Sequence, residues 1–340
     1  MAEISIIIPV KNGSSTIARC IDRLYESTVK DIEIVVVDDC STDNTIEILE
    51  KYPVKIVRLP ESKGPSYARN RGVEAATSKY VFLIDSDILV KKDTLEIILD
   101  TYRNNPEADA VQGIVSPEND GYENIYNNYQ NYYHNFVLSS IKKKWVSITI
   151  SCVHSIKREA FLKTEGYNEL IPHASMEDVE FGYTLRKHDV HIIMNKDLNI
   201  IHIHPLTFKT WFWKKFFVGY DHLKFFLRAN LNELFKQRLK DRHKYESHQK
   251  TSALISLLIA PFTLLSFLLL IINPYYGAGI AILTNIIFLL CNINFFKVSY
   301  KQKGFLYTLR IVALCYIDMI TMHLALWVSL FHFIFTLKKS

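Results

Sequence analysis

Cysteine is scarce and scattered in this chain: Cys20, Cys40, Cys152, Cys291 and Cys315 are odd in number and contain no C-x-x-C pair. That excludes a disulfide framework and a zinc site, and leaves all five to be read as small buried hydrophobes in a reducing compartment. Glycine (11) and proline (10) are too few for a fibrous or low-complexity chain. No G-x-G-x-x-G follows the first strand-like run, Ile4–Val10, which disfavours a Rossmann oxidoreductase. No internal repeat is visible. Nothing ahead of Ile4 has the charged and apolar regions of a signal peptide, so the head of the chain is expected to stay in the cytosol.

At 340 residues the chain exceeds one average domain, and 49% apolar with 22% charged residues excludes disorder. Charge is unevenly distributed. Residues 1–206 carry 23 Lys+Arg against 30 Asp+Glu, residues 207–250 carry 11 against 4, and residues 251–340 carry 6 against 1. Because apolar segments follow the basic neck directly, an anionic membrane surface is its expected partner and nucleic acid is not. Thr251–Ile272 and Gly277–Phe296 hold no charge over 22 and 20 residues, and each can cross about 30 Å of hydrocarbon at about 1.5 Å per residue. Ile311–Leu337 contains Asp318, His323 and His332, so it reads either as a crossing with polar groups turned to neighbouring helices or as partly interfacial. Three transmembrane helices within 251–337 are expected. The neck and the Lys297, Lys301, Lys303, Arg310 connection then fall on the cytosolic side, beside the head. Trp211, Phe212, Trp213, Phe216 and Phe217 interleave with Lys209, Lys214 and Lys215, a mixture suited to the headgroup layer; a helix packed on the sheet is the alternative.

The head alternates short apolar runs (Ile4–Val10, Ile32–Val37, Val54–Leu59, Tyr80–Ile84, Asp109–Val115) with helical patterns such as Ile17, Cys20, Ile21 and Leu24. This predicts an α/β fold, a mostly parallel sheet with helices on both faces. Further on, a helix is expected near Lys157–Lys163, another from Glu177, and a strand over Val190–His204. The Asn- and Tyr-rich segment Ser116–Trp145 has weak periodicity and reads as a specificity loop or a short irregular helix.

Open α/β sheets bind ligands at the carboxyl ends of their strands, and four clusters fall there. In VVVDDCSTDNT (35–45), Asp38 and Asp39 close an apolar strand and Ser41, Thr42 or Asp43 can cap the next helix; the acidic pair is either a capping and turn signal or accepts hydrogen bonds from a nucleoside. In YVFLIDSDILV (80–90), Asp85 and Asp87 lie two apart, so the strand period aims both carboxylates one way; this is either a solvated turn or a pair that shares a hard cation, Mg²⁺ or Mn²⁺ rather than zinc. In GPSYARNRGVEAA (64–76), Gly64 and Pro65 suit a helix start whose N–H groups could meet a phosphate, with Arg69 and Arg71 adding charge; an ordinary sheet-covering helix has the same pattern. In MEDVEFGYTLRKHDVHI (176–192), Ser175 and Asp178 have capping-box spacing, yet Glu177, Asp178 and Glu180 exceed what a cap requires, and Asp178 is a candidate general base. His202 and His204 could each add a metal ligand; His204 is the one kept, because Pro205 follows it and suggests a strand end.

In this order the four clusters, with IIIPVKN (6–12), resemble the inverting nucleotide-sugar glycosyltransferases of family 2, with the GT-A fold, over roughly residues 3–206. The resemblance implies sugar transfer from a nucleoside-diphosphate sugar donor, assisted by Mg²⁺ or Mn²⁺. It implies that Pro9, Val10, Asn12 and Asp39 hold the nucleoside, with Lys63 and Gly64 completing that pocket. Asp85 and Ser86 would face ribose and diphosphate, Asp87 would ligate the metal and Asp178 would be the base. A polyprenyl phosphate acceptor is already anionic, so a base favours the hydroxyl of a lipid-linked glycan or glycolipid. The Q-x-x-R-W pattern of the family's processive members is missing, since Gln237-Arg238 lacks its spacing, which favours transfer of a single sugar. A polysaccharide synthase and a non-catalytic nucleotide-sugar-binding scaffold are the alternatives. The expected plan is a catalytic domain over 1–206, an interfacial neck over 207–250 and the membrane part over 251–337.

Overall fold

A computed structural model describes residues 2–121, 123–171, 174–203, 206–228, 245–246, 259, 261–263, 265–266 and 269–337. Expectations that fall elsewhere, including His204, most of the neck and nearly all of Thr251–Ile272, lie outside the described residues. The chain divides into two compact units: residues 1–123, 137–205 and 235–247, and residues 124–136, 206–234 and 248–340.

The first unit opens with β1 (Ile4–Val10), α1 (Ile17–Tyr25), β2 (Ile32–Asp38), α2 (Thr45–Leu49), β3 (Lys55–Arg58), α3 (Pro65–Ala75), β4 (Tyr80–Leu83), β5 (Ile88–Leu89), α4 (Thr94–Asn104) and β6 (Ala110–Val115). The helix α5 (Ile125–Ser139) follows, where the sequence suggested only a loop or an irregular helix, and the boundary between the units falls inside it. Then come β7 (Trp145–Val146), a 3₁₀ turn at Ser151–Val153, β8 (His154–Lys157), α6 (Arg158–Leu162), α7 (Glu177–Lys187) and β9 (Ile192–His202). After α8 (Phe208–Arg228) the short β10 (Tyr245–Glu246) joins the sheet beside β7.

Sheet order is β10-β7-β9-β6-β8-β4-β1-β2-β3, with β5 pairing to β9 off this path. One side, β4-β1-β2-β3, is parallel as expected. The other side is mixed, because β8 runs antiparallel between β4 and β6. The β-branched strands are buried on both faces, the mark of a sheet covered by helices. Ile4, Ile6 and Ile8 of β1 enter the core beneath α1 and α4, whereas Ile7 joins Val35, Val37 and Ala68 of α3 on the opposite face. Each of these buried isoleucines and valines stabilises the fold by roughly 1.5–3 kcal/mol.

In the second unit, α9 (Pro274–Lys303) and α10 (Phe305–Leu337) each contain an 18-residue stretch of mean hydropathy 1.9 and are long enough to cross a membrane. Asp318 and His323 of α10 are buried, and Asp318 pairs with Lys215 of α8 at 3.1 Å. Helical period thus splits the aromatic and basic residues of α8 between two surroundings. Trp211 is fully buried against Tyr126 and Tyr129, whereas Phe208, Trp213 and Phe217 are exposed.

Candidate active site

The carboxyl ends of β1, β2 and β4 lie side by side, because β1 pairs in parallel with both neighbours. After β1 the chain turns through Asn12, whose φ of 54° is left-handed, a conformation that Asn tolerates better than most residues. The turn is bonded to the loop after β2: Asn12 N–H donates to Ser41 Oγ at 2.9 Å, and Asn12 Oδ1 accepts from Thr42 N–H at 2.8 Å. Asp43 is not the expected helix cap. Its carboxylate accepts from Ser14 N–H and Thr45, and although burial opposes its charge, these bonds bring its pKa down to about 2. A Cβ on Gly13 would strike Val10 at 2.5 Å and meet Ser86 Oγ at 3.3 Å, so this position admits only glycine and Ser86 lies against the β1 end.

Asp39 continues β2. Its N–H donates to Val10 C=O at 2.8 Å, and its buried carboxylate accepts from Lys63 N–H (2.8 Å), Gly64 N–H (3.1 Å) and Ser62 Oγ (2.8 Å). Gly64 makes this possible: φ of 87° turns the backbone into α3, with Pro65 at the first helical position. The predicted nucleoside group of Val10, Asp39, Lys63 and Gly64 is therefore one bonded unit, and Lys11 reaches it through Ser62 Oγ at 2.8 Å. Pro9 is buried within β1.

Asp85 and Asp87 follow β4. The strand β5 begins immediately after Asp87 and runs antiparallel to β9 with Ile88 opposite His202, and Ile203 N–H donates to Asp87 C=O at 2.9 Å. This register carries His202 to the carboxylate: Nε2 lies 3.0 Å from Asp87 Oδ1. Ligand atoms of Asp85, Asp87 and His202 all lie within 4.8 Å of one another. An octahedral ion with bonds of about 2.1 Å holds neighbouring ligand atoms about 3 Å apart, so this set of two carboxylates and an imidazole fits a hard divalent cation. His202, the first member of the His202/His204 pair, is thus the histidine placed in the cluster among the described residues.

Arg69 of α3 departs from its expected role. It is turned inward, 2% exposed, with Nη2 on Asp85 Oδ1 at 2.8 Å and Nη1 on Glu177 Oε1 at 3.1 Å, and Tyr167 beneath its guanidinium at 5.4 Å. Burial opposes its charge, but Asp85 and Glu177 outweigh this and raise its pKa. Arg71 instead pairs with Glu74 and Glu169.

At the start of α7, Glu177 Oε2 accepts from Ser175 N–H at 2.6 Å, and the N-cap position falls to Met176 rather than to the expected Ser175. Asp178 is half-buried; its Oδ1 accepts from Val179 N–H at 2.8 Å and its C=O from Thr149 Oγ1 at 2.5 Å. Burial, then the charge of Glu177, pushes the Asp178 carboxyl far above the usual range, and Asp85 adds a smaller push in the same direction. Signals for His202 and Asp178 were present in the sequence, whereas the inward turn of Arg69 had none.

A mixed sheet with its acidic residues gathered at these strand ends defines the GT-A fold. The fold is shared with the mannosyltransferase PcManGT of Pyrobaculum calidifontis, solved in complex with GDP-Man and Mn²⁺, at TM-score 0.52 and 16% identity over 96% of this chain and 85% of that one. Residues 5–164, just under half of the chain, match the family described as Glycosyl transferase family 2. Glycosyltransferase GlyG of Streptococcus pneumoniae serotype 4 is 31% identical over 112 residues, 32% of this chain and 36% of the relative. Chondroitin synthase of Escherichia coli is 30% identical over 175 residues, half of this chain (50%) and 25% of the relative. The matched region thus spans about a third or less of these relatives.

Proposed function

We propose that the chain transfers one sugar, with inversion, from a nucleoside-diphosphate sugar to an acceptor held at the cytosolic face of a membrane. The observation that carries this reading is the convergence of Asp85, Asp87 and His202, with Glu177 joined to Asp85 through Arg69. The catalytic unit is assigned to 1–206, the basic neck to 207–250 and the membrane part to 251–337, where α9 and α10 have the length and apolarity of crossings.

Asp87 and His202 are the residues to hold Mg²⁺ or Mn²⁺, with Asp85 beside them. Such an ion would neutralise charge growing on a departing diphosphate. Pro9, Val10, Asn12, Asp39, Lys63 and Gly64 would bind the nucleoside, and Asp85 and Ser86 would face ribose and diphosphate. Asp178, whose burial raises its affinity for a proton, would take that proton from an attacking hydroxyl. This favours a lipid-linked glycan or glycolipid as acceptor over polyprenyl phosphate, which brings its own negative charge.

The test begins with the purified full chain and Mn²⁺. A nucleoside diphosphate bound only by the folded protein raises its thermal midpoint by linkage, so UDP or GDP should do so with Mn²⁺ and not without it. Absence of any metal-dependent shift, together with absence of sugar-nucleotide turnover, would refute the reading.

A further inference from the structure

Arg69 holds a position that neither metal binding nor proton transfer explains. It belongs to the helix whose N-cap, Gly64, binds Asp39, yet its side chain is 2% exposed and its guanidinium spans two carboxylates 92 positions apart in sequence, Asp85 and Glu177. One of these carboxylates is 31% exposed and belongs to the acidic triplet; the other is 4% exposed and directly precedes Asp178. Nε is buried without a partner, so both polar attachments of this side chain go to these two acids. Tyr167 closes the underside and stacks on Phe181 of α7 at 4.1 Å. A planar guanidinium with both ends engaged fixes direction as well as distance.

We infer that Arg69 is a positioning residue: it holds the donor-side carboxylate Asp85 and the first turn of α7 in one geometry, so that Asp178 stands at a set place relative to the donor. The inference rests on the glycosyltransferase reading above. A lysine carries the charge but is a point donor that cannot fork between two acids. Methionine fills similar volume and removes both attachments.

The experiment measures nucleoside diphosphate release from UDP-N-acetylglucosamine and GDP-mannose by the full chain with saturating Mn²⁺, for wild type, Arg69→Lys, Arg69→Met, Glu177→Gln and the Arg69→Met/Glu177→Gln double variant. Displacement of a reacting group by about 1 Å costs about 10²-fold, so Arg69→Met should lose about that factor in kcat. Arg69→Lys should recover about a tenth of the wild-type rate. KM for the donor and Mn²⁺-dependent nucleotide binding should stay within about threefold, because the lost interaction acts on the reacting geometry. The double variant should be no slower than Arg69→Met alone. A purely structural role would lower the amount of folded protein while leaving kcat per folded molecule unchanged, and that result overturns the inference. So does a loss confined to KM, or an additive double variant. Should Arg69→Met fail to fold, the kcat of Arg69→Lys against wild type decides in the same way. If wild type itself neither binds nucleotide with Mn²⁺ nor turns over a donor, the glycosyltransferase reading is what fails, and this inference falls with it.

Discussion

Each unit of the protein buries a cation against carboxylate, and the two arrangements differ in their balance. In the second unit, Lys215 meets Asp318 one to one; both side chains are 11% exposed, and Tyr129 donates its hydroxyl to the same Asp318 oxygen at 2.8 Å. The charges cancel and are closed off, as a structural pair between two packed helices requires. In the first unit, one guanidinium serves two acids while Asp87 and Asp178 stand near it, so negative charge is left in surplus and Asp85 remains 31% exposed. Surplus charge at an open strand end is unfavourable for stability alone, and a cationic ligand would relieve it. Position in the fold makes the difference: Asp318 sits midway along a helix, Asp85 and Asp87 where a strand stops.

The comparison is broken most directly at Asp87. Replacing it with alanine should abolish the Mn²⁺-dependent thermal shift and reduce donor turnover by about 10³-fold or more, since metal stabilisation of a leaving group amounts to several kcal/mol. A variant that still binds nucleotide and Mn²⁺ would show that the surplus acids do not serve a cation. Next, Asp178→Asn should cost about 10²- to 10⁴-fold with a hydroxyl acceptor and little with polyprenyl phosphate; undiminished transfer to a hydroxyl removes the base assignment. On the other side of the comparison, Lys215→Met leaves Asp318 as an uncompensated buried charge and should destabilise the second unit by about 3–5 kcal/mol, with most of that recovered by adding Asp318→Leu. Chemical denaturation would measure this, and donor turnover per folded molecule should not change. His202→Ala should weaken metal affinity by about 10- to 100-fold, read as the Mn²⁺ concentration at half-maximal turnover.

Strand-forming runs and terminal acids were legible because both signals are local. Ile4–Val10 is apolar but for Ser5, and Asp38-Asp39 and Asp85 come directly after such runs, with Asp87 two residues beyond Asp85. Partnership across the chain was not legible. A helical pattern around Arg69 cannot distinguish a phosphate-facing arginine from an inward one, because the deciding partner, Glu177, is 108 positions away. A strand period gives His202 and His204 the same signal, and what brings His202 to Asp87 is the β5–β9 register, which puts Ile88 opposite His202 and is not written in any local pattern. Asn and Tyr on every side of α5 concealed its period; its order comes from partners such as Asp318 for Tyr129, which no local pattern announces.

The smallest predicted effect separates the two kinds of burial most finely. Asp178 has its proton affinity raised first by burial and then by Glu177. As a base it works only when unprotonated, so turnover should climb as pH rises through that elevated value and be lost below it. The stability sign is opposite: the folded state binds this proton more tightly than the unfolded chain, so this group's contribution falls as pH rises from about 4 toward the raised value. Glu177→Gln removes one negative neighbour and keeps the side chain's size, so the rising limb of the pH–rate profile should move to lower pH by about one unit, whatever the plateau rate. The control is Asp318→Asn, which alters the balanced pair of the second unit and should leave the limb where it is. A limb unmoved by Glu177→Gln would mean that the surplus of charge in the first unit does not act on Asp178.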